Sequence, residues 1–168
     1  MKKINAEQLQ DNPFKLIGKD WMLITAEKDG KVNTMTASWG GVGILWGKNV
    51  ATVYIRKSRY TKEFVDGTDH FSLCVLPESF RDKLAYCGKI SGRDEDKIAK
   101  CGFTVNHEEN VPYFEEARLV LKCRKLYVQE MKAECFDENA KGIIDACYKD
   151  NDWHVMYIGE IETILTRD

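Results

Sequence analysis

One stretch constrains this chain more than any other. Residues 117–130 read Ala-Arg-Leu-Val-Leu-Lys-Cys-Arg-Lys-Leu-Tyr-Val-Gln-Glu, the longest strand signal in the sequence. Leu119, Leu121 and Cys123 alternate on one face, but Leu126 and Val128 continue in the opposite parity. The side-chain period of a strand is two, so this switch predicts an inserted residue, a β-bulge, near Arg124. Bulged strands bend, and bent strands build barrels.

The rest of the chain fits that expectation. Residues 20–27, 32–39, 50–55, 70–76 and 153–166 also read as strands, the last passing through Gly159. Lys28-Asp29-Gly30-Lys31 supplies the Asp-Gly turn of a two-residue hairpin. Gly40, Gly41, Gly43 and Gly47 are expected to serve a bend; they lack the third glycine of a dinucleotide fingerprint and do not match a P-loop. Short helices are predicted over residues 59–65, closed by Gly67, and along the Phe80, Leu84, Cys87 stripe, stopped at Gly88. A further helix is expected to be capped at Ser91 and to continue through Ile98 and Cys101, and another to carry Ala140, Ile143, Ile144 and Cys147. Residues 106–116 read as a loop around Pro112. Asn5 with Gln8 resembles a capping box in a surface arm that Pro13 ends. Strand and helix do not alternate strictly, which excludes a parallel sheet and leaves a mainly β, closed antiparallel barrel with short flanking helices.

With 168 residues, 43% hydrophobic and 31% charged, the chain is expected to be one domain, residues 1–168. Its 25 Lys and Arg nearly balance 27 Asp and Glu, so no global field draws it to nucleic acid. No segment reads as a signal peptide or membrane span, which points away from membranes. The six cysteines, 74, 87, 101, 123, 135 and 147, stand at least 12 positions apart, without metal-ligand spacing. Buried free thiols in a reducing cytoplasm are the expectation.

Residues 33–61 carry the chemistry. Arg56, Ser58, Arg59 and Thr61 enter a predicted helix, giving a phosphate two guanidinium groups, two hydroxyls and free amides; the commoner use of such a cluster is a solvated basic turn with a Ser or Thr cap. Thr36, Ala37, Ser38 and Trp39 present alternate small residues that could lie beneath a planar ring, or form a Thr-rich edge strand. Ser91 through Lys97 offers a second anion contact or a capped surface helix. His154 is either structural or in contact with substrate. No nucleophile with a base, carboxylate pair or metal cluster stands out, so an enzyme built this way would rely on a cofactor.

Taken together, Asn33-Thr34-Met35-Thr36-Ala37-Ser38-Trp39, Arg56-Lys57-Ser58-Arg59-Tyr60-Thr61, Cys87-Gly88-Lys89-Ile90-Ser91-Gly92-Arg93 with Asp96-Lys97, and His154-Val155-Met156-Tyr157-Ile158-Gly159-Glu160 resemble the flavin reductase-like FMN-binding split-barrel family, nearest to its flavoredoxin branch. The resemblance implies a six-stranded antiparallel Greek-key barrel and a homodimer with one FMN per subunit near the interface. Thr36, Ala37, Ser38 and Trp39 would line the isoalloxazine and ribityl chain, while Arg56, Ser58, Arg59 and Thr61 hold the phosphate. Gly88, Ser91 and Lys97 would approach the flavin or its phosphate, and His154 lies in a motif near the ligand pocket.

Three functions are compatible with these readings: an NAD(P)H-dependent flavin reductase using NADH or NADPH, an electron carrier with tightly held FMN and a protein redox partner, and a flavin-binding module. Hydride transfer between nicotinamide and flavin depends on proximity and electrostatics, so the lack of a catalytic triad fits the first two.

Overall fold

The computed structural model describes residues 1–107 and 111–167. Ten strands run β1 Lys2–Ile4, β2 Met22–Lys28, β3 Lys31–Ala37, β4 Gly40–Leu45, β5 Lys48–Arg56, β6 His70–Val75, β7 Val105–Asn106, β8 Tyr113–Phe114, β9 Leu119–Glu130 and β10 His154–Thr166. Eight form one antiparallel sheet in the order β3-β2-β6-β9-β10-β5-β4, with β1 also on β10; β7 and β8 form a small separate pair. β5 and β6 are separated by β9 and β10, the long return of a Greek key.

The sheet's two edges, β3 and β4, are consecutive in sequence and joined only by Ser38 and Trp39. A flat sheet would hold them six strand spacings apart, so the sheet must curl until they meet. The result is the mainly β barrel with short flanking helices that the sequence implied, split along the β3–β4 seam.

Eight strands rather than six make the main sheet, and both additions have local causes. The glycines of residues 40–43 form β4, paired residue for residue with β5 from Gly40↔Val53 to Leu45↔Lys48. The bend lies instead at Trp46 and Gly47, both at positive φ (53° and 68°). That is the same two-residue device as Asp29 and Gly30, at 52° and 73°. A Cβ at Gly40 would stand 2.7 Å from the Thr52 carbonyl oxygen, so glycine there permits close strand approach. The amino-terminal arm pairs with β10, and its box is completed by the Asn5 amide donating to Gln8 Oε1 at 2.8 Å. Pro13 starts α1, Pro13–Lys15, under an Asn12 cap rather than ending a helix.

The parity switch in β9 is real. Tyr127 pairs with Ile158 and Lys125 with Gly159, so Leu126 is the extra residue; a second irregularity makes Glu162 extra on β10. Beyond the bulge, however, the apolar residues leave the core, and Val128 is 45% exposed.

Two cores result. The barrel interior gathers Ile24, Met35, Val53, Ile55, Phe71, Leu73, Leu121 and Tyr157. Gly159 belongs to this close packing: a Cβ there would lie 2.8 Å from Phe71 Cζ and 2.9 Å from Cys123 Cβ. The second core holds Leu23, Cys74, Leu84, Cys87, Cys101, Phe103, Phe114 and Val120. It packs β2, β6 and β9 against α3, Arg81–Lys89, and α4, Lys97–Cys101. Strands covered on both faces lose alternation, which explains the weak pattern of β6.

α2, Thr61–Asp66, begins two residues later than expected, and α3 runs one residue past Gly88. α4 is capped by Asp96, whose carboxylate accepts from the Ala99 amide at 3.0 Å, not by Ser91. α5, Lys141–Cys147, has no buried residue, and Ile143 is 50% exposed. Part of the expected loop is packed: Val111, Tyr113 and Phe114 are buried, while residues 108–110 lie outside the described residues. No helix among the described residues is long and apolar enough to cross a membrane.

Candidate functional site

Three depressions adjoin one another, two of them on the seam. One of about 160 Å³ is bounded by Ser58, Arg59, Thr61, Ser91, Gly92 and Lys97. Arg59 also borders a second, of about 220 Å³, with Thr36, Ala37, Ser38, Trp39, Arg56, Tyr54 and His154. Ser38, Trp39, Tyr54 and His154 continue into a third, of about 570 Å³, completed by residues such as Phe14, Ile17, Met131 and Tyr148. The fold thus brings eleven of the twelve candidate residues to one continuous surface. Gly88 stands behind it in α3, where a Cβ would rest 3.4 Å from Thr36 Cβ.

The first depression is cationic because two basic side chains are tethered beside it. Arg59 donates to the carbonyls of Gly88 at 2.6 Å and Cys87 at 3.4 Å. Lys97, 3% exposed, donates to the carbonyls of Cys87 and Ile90, each at 3.0 Å. Burial lowers the Arg59 pKa and brings Lys97 down to about 8. A guanidinium has five N–H groups and an ammonium three. Two bonds apiece among the described residues leave each cation able to take an anion.

The hydroxyls are differently placed. Ser58 gives both its amide (3.0 Å) and its hydroxyl (2.6 Å) to Asp152. Thr61 is 1% exposed and its Oγ1 accepts from Asn33 Nδ2 at 2.9 Å. Ser91 Oγ accepts from the Arg93 amide at 3.2 Å.

At the second depression Arg56 does not point into open solvent. Its guanidinium donates to the carbonyls of Asp152 at 2.8 Å and Cys147 at 3.0 Å and lies over the Tyr148 ring. It therefore ties the 147–152 segment to the end of β5. His154 is opposite Arg56 in the sheet register, is buried, and shares a 2.9 Å hydrogen bond between Nδ1 and the Tyr148 hydroxyl. Burial and the nearby Arg56 charge bring its pKa down to about 4, so the ring is neutral at pH 7. The Trp39 ring lies 5.1 Å from it at 49°, exposed at the rim. Thr36 Oγ1 donates to the Leu84 carbonyl at 2.5 Å, fixing β3 against α3.

Tyr54, Met131, Tyr148 and Asp152 are site residues that sequence reading did not single out. Tyr54 follows alternation inside a recognised strand. The other three sit in or beside the long β9–β10 connection, where no local pattern marks them.

The described residues thus form a curled antiparallel sheet, a split barrel with a cationic pocket beside its clefts. Residues 15–168 match the flavin reductase like domain, and the chain belongs to that family. Among solved structures it is similar to the flavoredoxin of Methanosarcina acetivorans, with 23% identity and a TM-score of 0.71 over 100% of this chain and 76% of that one. An FMN-binding protein of Thermus thermophilus with bound p-hydroxybenzaldehyde gives 18% identity and a TM-score of 0.69, covering 100% and 83%. An NADH:FAD oxidoreductase of Streptomyces globisporus in complex with NAD and FAD fragments gives 14% and 0.64, covering 88% and 74%. Among curated proteins none matches significantly.

Proposed function

We propose that this chain binds FMN along the seam and acts as an NAD(P)H-dependent flavin reductase. The observation that carries this reading is the continuity of the three depressions: a cationic pocket, a cleft floored by a strand of small residues, and a larger cleft walled by aromatic side chains. The donor set fits FMN. Arg59, Lys97 and Ser91 would hold its phosphate, with Ser58 joining if Asp152 releases it. Residues Thr36, Ala37, Ser38 and Trp39 would lie along the ring and ribityl chain, where the small side chains admit a flat group.

FMN, when bound, would supply the hydride-accepting chemistry of the proposed reaction. The protein binds, orients and excludes water. Trp39, Tyr54 and Tyr148 offer a nicotinamide an aromatic enclosure next to the seam, and Phe14 overhangs it. The Arg56 cation favours negative charge developing nearby. His154, neutral and tied to Tyr148, orients rather than donating a proton near neutral pH. Similarity to the Streptomyces oxidoreductase, whose structure holds NAD and FAD fragments, supports nicotinamide as reductant.

The carrier reading has one specific observation in its favour: Trp39 is 48% exposed at the rim, leaving the seam open to a docking protein. Exposed Ile44, Leu45, Trp46 and Tyr127 form an apolar patch near the β4–β5 turn, which suits a second copy of the chain in a homodimer. Six free thiols suit a reducing cytoplasm.

The test is anaerobic addition of NADH or NADPH to FMN-loaded protein. Bleaching of the visible flavin band supports the reductase. A bound flavin that stays oxidised with both nucleotides, yet accepts electrons from a protein donor, makes the protein a carrier. Protein that fails to take up added FMN defeats both.

A further inference from the structure

Cys87 closes the last turn of α3 and Cys101 ends α4, and both are buried in the second core. Their Sγ atoms are 3.7 Å apart. The main chain of the same Cys87 anchors the cationic pocket, since its carbonyl accepts from Lys97 Nζ at 3.0 Å and from Arg59 Nη2 at 3.4 Å. Lys97 also rides on α4 while both its acceptors belong to α3 and the loop after it. Any movement of α4 relative to α3 therefore changes the Lys97 tether.

We propose that Cys87 and Cys101 are an oxidation site, a dithiol that hydrogen peroxide converts to a disulfide, and that the closure displaces Lys97 from its tethers and so weakens anion binding in the pocket. The effect on FMN rests on the flavin reading above; the disulfide itself does not.

The chemistry balances without another reagent. Cys101, at 5% exposure against 0% for Cys87, is the sulfur that a small neutral oxidant meets first. Its Sγ takes one peroxide oxygen: an S–O bond forms, the O–O bond breaks and one water leaves. Cys87 Sγ then displaces that oxygen: the S–S bond forms, the S–O bond breaks and a second water leaves. Two thiols lose two electrons and two protons, and peroxide becomes two waters.

The geometry requires a modest shift. Bonded sulfurs stand about 2.05 Å apart, so the pair must approach by roughly 1.7 Å. α3 is pinned to the barrel by the Thr36–Leu84 hydrogen bond, whereas α4 is one short turn followed by Gly102 in the left-handed region. With α3 held to β3, the shift falls on α4, which carries Lys97 with it. Burial and the neighbouring Cys101 push the Cys87 thiol up to about 12, which keeps it protonated at neutral pH.

The experiment compares full-length protein fully reduced with the same protein after brief hydrogen peroxide treatment. Peptide mass spectrometry locates the cross-link, hydrogen exchange follows residues 84–97, and fluorescence titration gives FMN affinity. The expected result is a Cys87–Cys101 linkage, faster exchange in that segment, and FMN binding weakened roughly tenfold, the scale of losing one charged hydrogen bond. Dithiothreitol should reverse all three, and Cys101→Ser should show none of them. The proposal is overturned if peroxide links no Cys87 to Cys101, or if the linked protein keeps the exchange and FMN affinity of the reduced form. If reduced protein binds no FMN, the flavin reading fails, and exchange of residues 84–97 alone decides whether closure loosens the pocket.

Discussion

Asp152 takes both donors of Ser58, accepting from its amide at 3.0 Å and its hydroxyl at 2.6 Å. A carboxylate thus occupies a position where the resemblance places phosphate, and its charge raises the Arg59 pKa against the effect of burial. Removing it frees two donors and removes a negative charge from the pocket's edge. Asp152→Ala should tighten FMN by about 1 kcal/mol, roughly fivefold, on the scale of a partly exposed charge pair. Riboflavin, which lacks the phosphate, should bind both proteins alike. Fluorescence titration of the two ligands measures the difference, and equal tightening for both would place the effect elsewhere.

Arg59→Ala should weaken FMN by roughly 1.5 to 3 kcal/mol, the loss expected for a charged hydrogen bond. The same change should leave riboflavin affinity within about twofold. Loss of both ligands to the same extent would mean that Arg59 serves only to hold α3 through Gly88 and Cys87.

Lys97 gives the pocket a pH signature. Its pKa is brought down to about 8, so the ammonium that attracts phosphate is lost as pH rises above that value. FMN affinity should fall between about pH 8 and 10 in titrations at constant ionic strength, with riboflavin flat across the range. Lys97→Met should abolish the slope.

His154 acts on stability in the opposite range. Its folded pKa is about 4 against 6.5 for an ordinary histidine. The unfolded chain binds the proton first as pH falls, so the stability that the neutral ring provides is intact above 6.5 and is lost progressively toward 4. Urea denaturation across that interval should show a decline that His154→Gln reduces. An identical pH profile for the two proteins would exclude His154 as its source.

Gly159→Ala tests the barrel interior. The added methyl would meet Phe71 and Cys123 at under 3 Å. Overpacking of this kind costs about 1 to 3 kcal/mol, and thermal melting should show a lowered Tm.

The strand skeleton was legible because it obeys local rules. The parity switch in residues 117–130 announced a bulge that falls at Leu126, and Asp29-Gly30 announced a hairpin that forms. β4 was hidden because three glycines in four residues, Gly40, Gly41 and Gly43, carry almost no strand propensity; the register with β5 makes them a strand. The cap at Asp96 was hidden because Asp94, Glu95 and Asp96 read as the acidic first turn of a helix capped at Ser91, and only the fold shows which side chain reaches an orphan amide. At the site, contiguous motifs were readable. Asp152, Tyr148 and Met131 were not, because their proximity to Ser58, Arg56 and Trp39 comes from closing a sheet across about a hundred residues of sequence.

The Ser38–Trp39 link has a mechanical consequence. Three Cα steps separate Ala37 from Gly40, so those ends can never part by more than about 11 Å. Breathing of the barrel must therefore be lopsided, like a purse hinged at one corner, with the far ends of β3 and β4 gaping first. Amide protection along both edges should rise toward the link, and the Ser38–Trp39 corner is the last part of the seam to open.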